Sequence, residues 1–333
     1  MADPSLWVLI VIIILALGFG VVNGFNDAAN AIATVIGTRA LSPRKAIIMA
    51  AIFNLAGAAT GTAVAQTIGK GILIPEAISY QTVIAALVAV IIWTTLATYY
   101  GLPVSLTHGF VAAIAAAGVA AVGTGAVDWG VMGRVLSAVV TAPVLGFVGG
   151  FLFMVALMWL FRKSVPSKVR GFFSNMQVLS AAFMAYSHGK NDGQMPIGVI
   201  TMVLVLYTGQ ATLWENIPWW IIILSALAIS SGMAIGGWRV IETLGLRVTT
   251  LRPVHGFAAQ TAAASVIEVA SQLGIPVSTT HCISTSVMGV GATRRLSAVR
   301  WGVAGNIVAA WIITFPVCAG LGYLFSWLLG LLG

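Results

Sequence analysis

The sequence predicts an all-α polytopic membrane protein with two inverted-topology repeats, each holding membrane-spanning helices and a re-entrant helical hairpin. Three observations carry that expectation. The chain has long apolar runs and little charge, its basic residues gather in a few short clusters, and its polar motifs occur twice in the same order.

The apolar runs set the class. Of 333 residues, 59% are hydrophobic and 7% charged, too few charges to clothe a water-soluble domain. Segments 6–22, 83–97, 144–161 and 217–228 approach or reach the roughly 20 residues that cross a bilayer as a helix. They are continuous rather than alternating, which favours helices over a barrel. The first run follows Met1-Ala-Asp-Pro, with no positive flank and no small-residue cleavage site, and reads as a span rather than a removable signal. Cys282 and Cys318 lie in apolar or re-entrant segments, so no disulfide framework is indicated.

The net charge of +8 acts through its placement and points to membrane lipid rather than nucleic acid. Thirteen of the sixteen Lys and Arg fall in four clusters: Arg39/Arg44/Lys45, Arg162/Lys163/Lys168/Arg170, Arg239/Arg247/Arg252 and Arg294/Arg295/Arg300. The positive-inside rule assigns all four to the cytoplasm, and Glu76, Asp128 and Glu215 mark outer connections. Threading the chain through these points places the N-terminus outside, with spans at 6–37 and 46–68. Segment 82–123 has no basic residue at its Gly101-Leu102-Pro103 joint, so it reads as a hairpin dipping in from outside. A span at 130–161 follows. The expected organisation is a first repeat at 1–161, a cytoplasmic linker at 162–170 and a second repeat at 171–333. Both termini are then outside a multi-pass cell (plasma) membrane protein.

The repeat is read from motifs. Gly24-Phe-Asn-Asp27 returns as Gly189-Lys-Asn-Asp192, 165 residues on. Gly101-Leu-Pro-Val-Ser-Leu-Thr-His108 returns as Gly274-Ile-Pro-Val-Ser-Thr-Thr-His281, and Trp129-Gly130-Val131 as Trp301-Gly302-Val303. The second hairpin, 252–294, has arginines at both ends and so enters from the cytoplasm. Inverted repeats with paired broken or re-entrant helices are the architecture of secondary transporters, with the site at the midplane between them.

Polar groups inside apolar helices are the candidate site. An aspartate at mid-membrane costs about 2.5–3.5 kcal/mol on insertion scales and normally has a partner or a task. Asp27 and Asp192, flanked by Asn23 and Asn30 in the first copy, are assigned to cation coupling, with H⁺ favoured and Na⁺ the other candidate at both aspartates. Gly24 and Gly189 are expected to let the backbone unwind locally. Asn26 and Asn191 join the hairpin hydroxyls Ser105, Thr107, Ser278, Thr279 and Thr280 on the anion side. Those hydroxyls would open a helix after a Gly-x-Pro break, where unpaired N–H groups suit an anion. The bland alternative is that the same hydroxyls only cap their helices. His108 and His281 read as orienting groups or proton carriers. Lys190 stands where the first copy has Phe25, and could neutralise Asp192, replace a second cation, pair with the anion or reach to water. Glu268 has no acidic counterpart in the first copy.

At these residues the chain resembles the inorganic phosphate transporter (PiT) family. Gly24-Phe-Asn-Asp-Ala-Ala-Asn-Ala31 is similar to the family's first signature, and Ser187-His-Gly-Lys-Asn-Asp-Gly-Gln194 to its second. The two Pro-Val-Ser-x-Thr-His tips are similar as well, and the resemblance covers essentially the whole chain. It implies orthophosphate uptake by symport with Na⁺ or H⁺, no enzymatic activity and no organic cofactor. It also implies a homodimer, and phosphate carried alone or as a divalent-metal complex. Phe25, Lys190 and Leu106 depart from the usual pattern, as do Asn54 and Gln260, which stand where sodium-coupled relatives carry Glu; Gln194 closes the second signature. Fewer carboxylates and an added lysine favour H⁺. A sulfate permease of the same fold is the nearest alternative, an anion channel is another, and an intramembrane aspartyl protease is disfavoured by the hairpin hydroxyls.

Overall fold

The structure is a computed structural model that describes residues 6–332. Among these residues the regular structure is all helical, save for one isolated bridge between Leu73 and Val127. In the first repeat α1 (Leu6–Gly37) runs for 32 residues, roughly 48 Å at 1.5 Å per residue, more than the ~30 Å of bilayer hydrocarbon. Next, α2 (Pro43–Ala58) and α3 (Ala63–Lys70) meet at a bend of 70° and are together long and apolar enough for one span. The break holds Gly61 at φ +93°, a left-handed conformation that glycine adopts without steric cost. The hairpin is α4 (Tyr80–Tyr99) and α5 (Leu106–Val122), and α6 (Trp129–Leu160) closes the repeat.

The second repeat has the same parts. They are α7 (Pro166–Asp192) with α8 (Gln194–Thr208), then α9 (Trp219–Ile235) bent by 66° into α10 (Trp238–Glu242) and its π-helical extension. The hairpin α11 (Pro253–Gln272) and α12 (Thr279–Ala292) follows, and α13 (Trp301–Leu332) ends the described chain. The helix limits fall close to the segments read from the sequence, with the second segment broken rather than continuous.

The repeats are interleaved rather than set side by side. The hairpin α4–α5 packs on α13 of the other repeat, and α11–α12 packs on α6. The crossing of α1 with α9 depends on glycine: a Cβ on Gly24 would sit 1.8 Å from the Ile229 carbonyl oxygen, and one on Gly232 would sit 1.9 Å from that of Val21. The crossing of α7 with α2 repeats this, with Gly189 against Asn54 at 2.0 Å and Gly57 against Tyr186 at 1.9 Å. Here the sequence expectation needs correction. Both α1 and α7 remain helical through Gly24 and Gly189, and these glycines serve close backbone approach instead of unwinding.

Each hairpin tip rests on the broken helix of the opposite repeat. Thr243 Oγ1 donates to the Gly101 carbonyl at 3.0 Å, and Thr67 Oγ1 to that of Gly274 at 2.7 Å. The apolar core has two large clusters, one around Ala29–Val35 of α1 and Phe173–Ala185 of α7, the other around Leu9–Phe19 and Met195–Val203, with a small third at Ala97, Val104 and Ala310. Between the two large clusters lies a polar layer formed by the two signature segments.

Candidate functional site

The polar layer is assembled by helix ends. Ser105 and Ser278 are the N-cap residues of α5 and α12, their hydroxyls accepting from the backbone N–H of His108 at 3.2 Å and of His281 at 3.1 Å. The capping reading of these two serines holds, and it brings the positive ends of two helices to the middle of the molecule. The first turns of those helices then reach the aspartates across the repeats. Thr107 Oγ1 donates to Asp192 Oδ1 and Thr280 Oγ1 to Asp27 Oδ1, both at 2.8 Å. Thr279, which replaces Leu106 of the first hairpin, adds a donor to Asp192 Oδ2 at 2.8 Å. Asn30 Nδ2 donates to the hydroxyl oxygens of Thr279 and Thr280 at 3.2 and 3.0 Å. Asp27 and Asp192 are 2% and 1% exposed, so their carboxyl groups find their partners inside the protein.

Asn26 and Asn191 bind the hairpin of their own repeat. Asn26 Nδ2 donates to Thr98 Oγ1 at 2.5 Å on α4, and Asn191 Oδ1 accepts from Ser271 Oγ at 3.4 Å on α11. Asn191 also donates to the Val277 carbonyl at 2.7 Å in the tip. Each signature thus ties its asparagine to the hairpin of its own repeat and its aspartate to the opposite one, with Asp192 also taking the Thr279 hydroxyl of its own hairpin.

The group missed by sequence reasoning is His188. Its Nε2 lies 3.7 Å from Asp27 Oδ2 and 3.4 Å from Asp192 Oδ2, and its Nδ1 lies 2.6 Å from Asn54 Oδ1. Asn54 gives its amide N–H to Ser230, which leaves the oxygen as acceptor, so His188 donates from Nδ1. Asp27, His188 and Asp192 form a buried cluster able to hold a cation among three ligand atoms. The overlooked signal was spacing: His188 precedes Asp192 by one helical turn, on the same face, at the position of Asn23 in the first copy.

Other nominated residues lie outside this cluster. Gln194 Oε1 accepts from the N–H groups of Val64 and Ala65 and caps the start of α3. Gln260 accepts from Ser180 and donates to the Ala31 carbonyl, tying α11 to α7 and α1. His108 and His281 face each other with ring centroids 4.8 Å apart, stacked on Phe315 and Trp311, and bond neither aspartate. Lys190 pairs with Glu268 at 2.5 Å rather than with Asp192, joining α7 to α11. Asn23 is buried with neither amide atom bonded.

Comparison with known proteins bears on the family and the fold. The profile described as "Phosphate transporter family" matches twice, over residues 23–171 and 162–322. A "Probable low-affinity inorganic phosphate transporter" of Bacillus subtilis (strain 168) is 40% identical over 332 residues, covering 99% of both chains. A protein of the same description from Rhizobium meliloti (strain 1021) is 41% identical over 312 residues, 93% of both. The solved structure titled "The sodium-dependent phosphate transporter" superposes with a TM-score of 0.89 at 29% identity, over 98% of this chain and 100% of that one.

Proposed function

We propose that this chain, which belongs to the phosphate transporter family, imports inorganic phosphate by symport with a cation, alternating access between its two inverted repeats. The observation that carries this reading is the crossed pairing at the centre, Thr280 to Asp27 and Thr107 to Asp192. A threonine has one O–H to give. While the carboxylates are charged they hold those donors. A cation or proton on the carboxylate frees the hydroxyls for a tetrahedral anion at the same two helix N-termini. Phosphate without a cation would meet two carboxylates at low dielectric and be repelled. The two ligands therefore enter together. Carboxylates that can accept a proton from phosphate also favour it over sulfate, which has none to give.

His188 favours H⁺ as the coupling ion. With Nδ1 donating to Asn54, its Nε2 lone pair would face two carboxylates unless a proton sits on the ring or on an aspartate. A second reading, Na⁺ at Asp27, draws on Asn23 and Asn30 one turn to either side, whose buried carbonyl oxygens accept no hydrogen bond. Hard oxygen ligands of that kind suit an alkali cation. On either reading the arginine-bearing face is cytoplasmic, both termini are outside the plasma membrane, and the unit is a homodimer.

Uptake into proteoliposomes under imposed H⁺ or Na⁺ gradients tests the proposal. Asp27→Asn and Asp192→Asn are each expected to abolish concentrative uptake while the protein still inserts. His188→Gln is expected to remove the response to the H⁺ gradient. Near-wild-type accumulation in either aspartate variant removes that carboxylate from the mechanism. Uptake indifferent to both cation gradients describes a channel instead.

A further inference from the structure

A cavity of about 940 Å³ lies apart from the aspartates, where the ends of α1 and α6 meet the starts of α7 and α11. Arg39, Arg170 and Arg252 line it, and none of the candidate site residues does. Among the described residues no acidic side chain lines this cavity, and these three arginines form no ion pair. The helices α7 and α11 begin here, at Pro166 and Pro253, adding the positive ends of two dipoles. Arg39 is the one non-glycine residue among those described with positive φ, at 61°, so the backbone holds an unfavourable conformation where this side chain joins the wall.

The opposite wall is apolar. Met154 and Leu157 of α6 are buried, and Met158 beside them is 48% exposed. Met158 continues into Leu152, Val155 and Trp159, an exposed apolar strip along the helix. The cavity therefore joins a basic mouth to a lipid-facing surface.

We propose that this cavity binds the phosphate headgroup of an anionic phospholipid, with an acyl chain laid along the α6 strip. Free phosphate would be drawn to the arginines but gains nothing from that strip. Basic pockets between helices at the cytoplasmic end of a bundle suit such lipids, and the arginine clusters place this mouth at that level. The lining comes from both repeats, so a bound lipid tethers the base of the second hairpin to α1 and α6. It thereby tunes the rate of movement between them. The binding claim is independent of what the chain carries; the rate claim rests on the transport reading above.

The test uses the full chain and the variant Arg39→Gly/Arg170→Gln/Arg252→Gln, in which glycine removes the charge while accepting the left-handed backbone. Each is reconstituted in phosphatidylcholine with or without phosphatidylglycerol. Lipid retained after detergent extraction is counted by native mass spectrometry, and phosphate uptake is measured in parallel. Wild type is expected to retain phosphatidylglycerol, and the variant to bind it about a hundredfold more weakly, from the loss of three arginine contacts. Uptake should respond to phosphatidylglycerol in wild type alone. Equal retention by both proteins overturns the site. Displacement of the lipid by inorganic phosphate assigns the pocket to the free anion and overturns the lipid reading. Differential retention with unchanged uptake overturns the control of rate. If the triple variant fails to fold, Arg170→Gln/Arg252→Gln carries the same comparison.

Discussion

The two halves of the central site share a scaffold but differ in chemistry. Around each aspartate the same parts recur: a glycine-mediated crossing with a helix of the other repeat, an asparagine bound to its own hairpin, and a threonine donated by the opposite one. What surrounds them differs. Asp27 receives one hydroxyl and has Asn23 and Phe25 nearby in sequence, whereas Asp192 receives two hydroxyls and has the Lys190–Glu268 pair; His188, carried by the second copy alone, approaches both. The lesson is that inverted repeats must duplicate geometry, because both sides make the same crossings. They need not duplicate ligands, so the half-sites can hold different ions.

Three sets of substitutions would break or sharpen this contrast. The largest effect belongs to the shared scaffold. Gly24→Ala and Gly189→Ala should be about equally severe, costing roughly 3 kcal/mol or more, because each new Cβ would fall about 2 Å from a backbone oxygen. Thermal unfolding in detergent measures this, and a mild effect at only one site would end the claim of matched crossings. An intermediate effect belongs to the second copy alone. Lys190→Met leaves Glu268 without its cation at a site where both side chains are only 15% and 17% exposed, and should cost about 1–3 kcal/mol. Adding Glu268→Gln should recover most of that loss. If the double variant is no better than the single one, the pair is not what couples α7 to α11. The smallest effect is expected at the caps, where Ser278→Ala and Ser105→Ala each lose about 1 kcal/mol. If that loss falls on the bound state, the KM for phosphate rises about fivefold with cation dependence unchanged. A change in cation dependence alone would move the anion away from these helix ends.

Much of the fold was legible because membrane insertion is governed by local composition. The limits of α1 and α6, the dipping of segment 82–123 and the duplicated turns all follow from apolar length, Gly-x-Pro breaks and arginine placement. The role of Gly24 was misread for a physical reason: glycine permits both an unwound turn and a close helix crossing, and sequence alone cannot separate them. Gln194 was nominated because it closes the second signature, and Gln260 because it stands where sodium-coupled relatives carry Glu. Both are spent on backbone groups of neighbouring helices instead.

By itself, the sequence determined that this is a helical membrane protein with two inverted modules and an aspartate in each. Hydrophobic length, charge asymmetry and motif spacing are properties of the chain read in order. Only the tertiary structure decided that His188 stands between the two aspartates, that each hairpin gives a threonine to the other repeat, and that Lys190 pairs with Glu268. Those contacts join residues 78 to 253 positions apart, or helix faces whose rotation depends on packing. No local periodicity encodes that choice; it is made when backbones close on one another through glycine.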